Sequence, residues 1–283
     1  MPELIFLKLG GSLLTDKTRP QALRGDELAR LASEIAGALA DRPNLRLLIG
    51  HGSGSFGHMA ARTHNTRAGV SSPEGWRGYA ETARAAALLN RHVVDALWEA
   101  GVPALALQPS ASAQCRDGEL LVLDERPIRA ALEHGLAPVI YGDVALDTVR
   151  GGTIISTEEI FAWLAPRLAP ARVILVGEVV GVLSADPASG IAGELIPEIT
   201  PDTLPGLAQA LGGSRGVDVT GGMVAKVREM LALVQTTPAL AAVQIISGLT
   251  PGLVRSAMVD PDLRAGTRIS NVARSSGAPC PEK

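Results

Sequence analysis

The first apolar run of the chain ends in a pair of glycines, in the stretch LIFLKLGGS at residues 4–12. A short apolar run of this kind predicts a buried β-strand over Leu4–Leu9. Because glycine has no side chain, the N–H groups of a Gly10-Gly11 loop can approach phosphate oxygens at the start of a following helix. Lys8 would add a positive charge at the same strand end. The alternative is a tight turn beside a surface lysine.

Similar short runs alternate with segments of helical period, which predicts an α/β fold with a mostly parallel sheet. Helices are predicted from Asp26, a candidate N-cap, to about Pro43, from Trp76 to Ala100, and from Gly222 to about Gln235. The turn-like segment DTVRGG at 147–152 predicts an antiparallel hairpin over 144–155. Further strands are predicted at 45–49, 138–141, 172–176 and 242–246.

Charge and composition exclude several functional classes. The chain has 26 Lys and Arg against 29 Asp and Glu, so no basic field would attract nucleic acid or anionic lipid. No apolar run approaches the roughly 20 residues of a membrane span, and the N-terminus lacks the basic region of a signal peptide. Cys115 and Cys280 make neither a C-x-x-C pair nor a disulfide framework. We therefore expect a cytoplasmic protein.

A second glycine loop, GHGSGSFGH at residues 50–58, follows the strand predicted at 45–49. Its four glycines and two histidines exceed what a structural turn needs, so it predicts a ligand site at a strand end. The loop also matches G-x-G-x-x-G, the dinucleotide-binding pattern. Glu74, the nearest acidic residue at the expected distance, lies in a loop-like segment, which disfavours a hydride-transfer function.

Two further clusters resemble anion sites. DVTGGM at 218–223 opens the helix that carries Lys226, although a capped helix with a solvated lysine is the alternative. YGD at 141–143 places Gly142 and Asp143 at another strand end. The sequence lacks the Walker and protein-kinase signatures, the H-E-x-x-H zinc pattern and the G-x-S-x-G elbow of hydrolases.

In chain order, the segments K-L-G-G-S, G-x-G-S-F-G-H, G-D and D-V-T-G-G-M-x-x-K resemble the amino-acid kinase superfamily, most closely its isopentenyl phosphate kinase family. The resemblance spans most of the chain, and its specific parts are residues 8–12 followed by Thr15-Asp16-Lys17, the histidine at position 58, and residues 218–226. It implies an open αβα sandwich, a homodimer, and ATP with Mg2+ as phosphoryl donor. It also implies an acceptor-binding part over 1–157 and a nucleotide-binding part over 158–283 within one domain.

The resemblance further implies the roles of individual residues. The catalytic residues would be Lys8, Lys17, His58 and Lys226. Contacts to ATP would come from Lys8, Gly10, Gly11, Ser12, Ser53, Gly222 and Lys226. The phosphate of the acceptor would be bound by Gly52, Gly57, His58 and Gly142. Few protein ligands to Mg2+ are expected, because the ion arrives with the ATP phosphates.

Two departures from the family pattern concern the nucleotide side. Where relatives commonly carry D-V-D-G, this chain has Glu178 and Val180 in the segment GEVVG at 177–181. Where G-D-D is common, it has STEE at 156–159. Both changes leave the nucleotide preference open.

The implied activity is ATP-dependent phosphorylation of isopentenyl phosphate to isopentenyl diphosphate, a precursor of isoprenoids. The acceptor oxygen is already ionised, so charge and positioning would do most of the catalysis. Alternatives are a fosfomycin-type phosphonate kinase, a glutamate or acetylglutamate kinase, and a non-catalytic nucleotide or oxyanion-binding protein. An apolar acceptor tail would need a pocket, for which Ala83, Ala86 and Ala87 are candidates unless they form a helix-packing surface.

Overall fold

The computed structural model describes residues 2–16, 18–185, 193–207 and 222–272. The strands are β1 (Leu4–Leu9), β2 (Thr15–Asp16), β3 (Ala22–Leu23), β4 (Arg46–His51), β5 (Ala104–Ala106), β6 (Gln114–Arg116), β7 (Glu119–Val122), β8 (Ala137–Tyr141), β9 (Asp143–Asp147), β10 (Gly151–Ile155), β11 (Arg172–Gly177), β12 (Glu198–Ile199), β13 (Ala242–Ser247) and β14 (Thr267–Ile269). The helices are α1 (Gly11–Leu14), α2 (Gly25–Asp41), α3 (Gly54–His64), α4 (Pro73–Glu99), α5 (Arg126–Glu133), α6 (Thr157–Leu168), α7 (Gly222–Thr236) and α8 (Leu253–Val259).

The main sheet has eight strands in the order β12-β14-β13-β11-β1-β4-β8-β5. β1 lies in its interior and pairs in parallel with both β4 and β11. β14 runs antiparallel to β13, and β12 runs parallel to β14. The predicted mostly parallel sheet is therefore confirmed, and the five predicted strands have ends within two residues of the observed ones.

Apolar side chains cover both faces of this sheet. On one face Phe6 of β1 packs in a cluster with Phe161 of α6 and Val227 of α7. On the other face Leu7 of β1 packs in a cluster with residues of α2, α4 and α8, among them Leu31. Strands buried on both faces have continuous apolar sequences, which explains the runs in the sequence. The architecture is the expected αβα sandwich.

The prediction that Asp26 caps the first long helix is wrong. α2 begins at Gly25, with Arg24 in the cap position and no side-chain cap hydrogen bond. Asp26 lies in the first turn instead. Its charge there is favourable to the positive end of the helix dipole, so the residue type still marks a helix start.

The predicted hairpin is confirmed as β9 paired antiparallel with β10. It belongs to a second, four-stranded sheet with β6 and β7. Asp147 anchors the turn by accepting backbone N–H bonds from Asp117, Gly118, Val149 and Arg150. Burial opposes ionisation of Asp147, but these four donors hold its pKa down to about 2.

Several other features can be placed on this fold. The boundary expected between 157 and 158 falls in the first turn of α6. Cys115 is buried in the core, and Cys280 lies outside the described residues. Across the part of the chain that the structure describes, no helix is both long and apolar enough to cross a membrane.

The carboxylate of Glu34, on α2, holds the start of α8. It accepts the backbone N–H groups of Gly252 and Val254 at 2.9 and 3.0 Å, and it also pairs with Arg30. Glu34 is 8% exposed. The bonds therefore satisfy N–H groups that have no partner within α8 itself.

We expect Glu34→Ala to lower the free energy of unfolding by about 2–4 kcal/mol, because buried N–H donors and Arg30 would lose a charged acceptor. Urea denaturation would measure the change. Asp41→Ala is the matched control, since it removes an exposed ion pair between the same two helices, with Arg255. It should cost much less. Equal losses in the two variants would contradict the anchoring role of Glu34.

Candidate functional site

The glycine loops meet at the carboxyl edge of the main sheet. The backbone N–H of Gly52 donates to Leu9 O at the end of β1 at 3.1 Å, and that of Gly142 donates to His51 O at the end of β4, also at 3.1 Å. Gly10 donates in the same way to the end of β11, at 2.8 Å. Each bond joins the loop that follows one strand to the end of the neighbouring strand. The loops predicted from sequence therefore form one continuous row.

The first and second glycine loops are in direct backbone contact. A Cβ atom placed on Gly11 would lie 2.4 Å from Gly54 N, which is too close for any side chain. Gly54 has φ +49°, in the left-handed region that favours glycine. The buried hydroxyl of Thr15 donates to Gly11 O at 2.7 Å and accepts Ser55 N–H at 2.8 Å. The loops are thus joined by packing and by Thr15, which was not among the predicted site residues.

Two lysines converge on one carboxylate at this edge. Lys8 Nζ, from β1, donates to Glu158 Oε1 at 2.6 Å, and Lys226 Nζ, from α7, lies 3.2 Å from the same oxygen. Glu158 stands in the first turn of α6. The cluster therefore joins three distant segments and carries two positive charges against one negative charge.

Burial and charge act against each other in this cluster. Burial lowers the pKa of Lys8; Glu158 partly offsets this, and the nearby ammonium of Lys226 adds to the lowering. Burial alone would raise the pKa of Glu158, but Lys8 and Lys226 hold it down to about 2. Glu158 is therefore ionised at neutral pH. The excess positive charge suits the cluster to an anion such as a phosphate.

The remaining predicted residues of the second glycine loop lie near the start of α3. His58 is exposed on this helix. Gly57 packs so tightly on Ser53 that a Cβ at position 57 would lie 2.6 Å from Ser53 Cβ. Ser53 occupies the N-cap position of α3 without a side-chain cap bond. Ser53, Gly57 and His58 thus lie at the cap or in the first turns of the same helix as Gly54.

For the other predicted site residues, the structure describes only their position in the fold or does not describe them. Ser12 is half-buried in α1, and Gly222 is the first residue of α7. Lys17 and the segment 218–221 lie outside the described residues. Their predicted roles stay predictions.

A cavity of about 170 Å³ lies between α3 and α4 and is also lined by residues 20–21. Its lining is mixed, with Phe56, Met59 and Ala85 beside the charged Glu81 and Arg84. The alanines predicted to make room for an apolar tail are not part of this lining, and one of them, Ala86, is buried. The position of such a tail stays a prediction.

Glu158 was not among the residues predicted for the site. The STEE segment at 156–159 was predicted only as a departure from a family pattern. A local signal was present, since Ser156 and Glu159 form a capping box that starts α6 immediately after a strand. That box places Glu158 in the first turn of a helix at the ligand edge. Its pairing with Lys8, 150 residues away, has no local signal.

His51, the first histidine of the second glycine loop, is fully buried at the end of β4. Its Nδ1 lies 3.1 Å from Gly52 O, and Asn90 Nδ2 lies 3.0 Å from its Nε2. Burial lowers the pKa of His51 to about 4, even though the bond to Gly52 favours the charged ring. The ring is therefore neutral in the folded protein at physiological pH.

Comparison with known proteins agrees with this geometry. The family model described as the amino acid kinase family matches residues 3–242. The chain belongs to the amino acid kinase family. Among its curated relatives is the isopentenyl phosphate kinase of Methanothermobacter thermautotrophicus, 38% identical over 94% of this chain and 99% of that protein. That of Haloferax volcanii is 41% identical over 81% of this chain and 88% of that protein.

Solved structures place this amino acid kinase in the same group. A solved structure of an isopentenyl phosphate kinase superposes with a TM-score of 0.79 at 35% identity, over 95% of this chain and all of that one. The resemblance found from the motifs is therefore confirmed for the family and for its open αβα fold.

We expect the stability of the kinase to fall more steeply in acid than that of a His51→Gln variant. The folded ring stays neutral down to about pH 4, whereas the unfolded chain binds a proton near 6.5. Stability that is present above pH 6.5 is therefore lost as the pH falls towards 4. The separation of the two pKa values corresponds to at most about 3 kcal/mol.

Urea denaturation across this pH window would give the two curves. The slope is compared, because the glutamine variant also loses hydrogen bonds and has a different absolute stability. Parallel curves for the two proteins would mean that the native state does not keep His51 neutral.

Proposed function

We propose that this protein transfers the terminal phosphoryl group of ATP to isopentenyl phosphate and forms isopentenyl diphosphate. The observation that carries the proposal is the cationic Lys8–Glu158–Lys226 cluster beside the GHGSGSFGH loop. The identity of 38% to a relative named isopentenyl phosphate kinase, over nearly the full length of both proteins, supports the choice of acceptor.

The chemistry suits this set of residues. An ionised oxygen of the acceptor phosphate attacks the γ-phosphorus of ATP, a new P–O bond forms, and the bond to the β,γ-bridging oxygen breaks to release ADP. The attacking oxygen needs no general base. Catalysis then depends on bringing two anions together and stabilising the charge on the transferring group. Lys8 and Lys226 supply that charge.

The roles of the other residues are part of the proposal. Residues 1–157 would hold mainly the acceptor and residues 158–283 mainly the nucleotide. Lys17 would assist the two paired lysines. The acceptor phosphate would be bound by Gly52, Gly57, His58 and Gly142, and ATP would contact Gly10, Gly11, Ser12, Ser53 and Gly222.

Mg2+ would be held mainly by the ATP phosphates, whose charge it neutralises. In the described ranges no group of three or more His, Cys, Asp or Glu side chains is arranged to hold a metal. Glu158 is engaged by two lysines, and Glu159 pairs with Arg67.

A cytoplasmic homodimer completes the proposal. The location rests on the sequence argument, and the dimer rests on the family resemblance. Sedimentation velocity of the purified protein would test the dimer directly, since a monomer at micromolar concentration would contradict it.

We expect ADP release with isopentenyl phosphate, and little with fosfomycin or glutamate, in a coupled assay with ATP and Mg2+. His58→Ala should lower kcat/KM for isopentenyl phosphate by about 10- to 150-fold, because a charge-assisted hydrogen bond to the phosphate is lost. ATP binding should be unchanged. A clear preference for fosfomycin would move the acceptor to phosphonates. No turnover with any acceptor, despite ATP binding, would favour a non-catalytic binding protein.

We expect Glu158→Gln to move the alkaline limit of activity to lower pH. Glu158 favours the charged form of Lys8, so its loss lowers the pKa of a lysine that must be protonated to bind phosphate. A pH profile of kcat would measure the shift. Glu159→Gln is the control, because the ion-pair partner of Glu159 is Arg67 and not one of the two lysines. The idea fails if both variants keep the wild-type profile.

A further inference from the structure

Three buried polar side chains connect the second glycine loop to two helices. His51 ends β4, Asn90 lies on α4, and Thr157 lies in the first turn of α6. Their exposed fractions are 0%, 4% and 1%. None of them is placed to contact a ligand at the sheet edge, so any effect on a ligand must pass through the loop.

The hydrogen bonds of His51 fix the orientation of its ring. Asn90 Nδ2 donates to Nε2, so the proton of the neutral ring is on Nδ1, which donates to Gly52 O. The ring also stacks on Tyr141, with centroids 5.5 Å apart. The carbonyl of Gly52 is thereby held in one direction, and α4 is bonded to the loop.

Thr157 holds the same loop from the opposite side. Its hydroxyl donates to His51 O at 2.6 Å, and that oxygen also accepts the N–H of Gly142. Its methyl group packs where a Cβ on Gly50 would lie, 2.5 Å from Thr157 Cγ2. The next residue, Glu158, holds the lysine pair. One turn of α6 therefore contacts both the acceptor loop and the catalytic lysines.

We propose that His51, Asn90 and Thr157 are positioning residues that set the distance between the acceptor-phosphate loop and the Lys8–Lys226 pair. The inference rests on the proposed function for the identity of the acceptor. Phosphoryl transfer is sensitive to this distance, because a displacement of about 1 Å can cost on the order of a hundredfold in rate.

Thr157→Val is the first test, since valine keeps the shape and removes the hydroxyl. We expect kcat/KM for isopentenyl phosphate to fall by about three- to tenfold, the loss of one neutral hydrogen bond, while direct ATP binding is unchanged. Thr157→Ser restores the hydroxyl and should recover most of the activity.

Thr267→Val is the matched control. Thr267 is also buried and also donates to a backbone carbonyl, that of Ile196, at 2.6 Å. It should lose stability without a change in kcat/KM for the acceptor. If Thr157→Val and Thr267→Val have the same kinetics, the inference is overturned.

The tautomer of His51 supplies a test that does not need turnover. Nitrogen NMR of the wild-type protein should show the proton on Nδ1, and Asn90→Ala should weaken this preference and lower kcat/KM for the acceptor. A proton on Nε2 in the wild type would overturn the inference, even if Thr157→Val does not fold. If the wild type phosphorylates no acceptor, the proposed function fails. The tautomer of His51 then decides by itself whether the positioning inference also fails.

Discussion

The carboxylate of Glu158 lies between the ammonium groups of Lys8 and Lys226, and it is the contact on which the arrangement of the site depends. Two like charges that are brought close together repel each other. A carboxylate between them offsets that repulsion. The cluster also fixes β1, α6 and α7 relative to one another. The proposed phosphate site would thus have its positively charged side chains assembled before a phosphate binds.

The first turn of α6 joins charged and neutral contacts within four residues. Ser156 and Glu159 close the capping box, Thr157 bonds to the second glycine loop, and Glu158 pairs with the lysines. The start of a helix can make these different contacts because its side chains diverge in several directions over one turn. Its rigidity then comes from the core, where Phe161 is buried one turn later.

The parts of the fold that follow from local sequence were predictable. Strands such as β1 and β11 are buried on both faces, so their sequences are continuous apolar runs with a clear start and end. β7 was not predicted, because it is short and its Leu121 and Val122 are exposed, which leaves no periodic signal. Asp26 misled the N-cap assignment because acidic residues are favoured both at the cap and in the first turn.

The site was predictable where glycine marks a special backbone and not where chemistry depends on distant partners. Gly10, Gly52 and Gly142 were found because they follow strands that end at one edge of the sheet. The pairing of Glu158 with Lys8 could not be found, because nothing in either segment specifies the other. His51 was seen as part of a glycine loop, but its partner Asn90 lies in the middle of a long helix whose period indicates only packing.

The contact between Gly11 and Gly54 also bears on how the protein could be re-engineered. Two backbones touch there, so no choice of larger or smaller side chain can adjust the gap between the loops. Evolution or a designer seeking a bulkier acceptor must leave both glycines in place and enlarge the surroundings of the acceptor elsewhere. Any change in the space around the two loops must therefore come from residues other than Gly11 and Gly54.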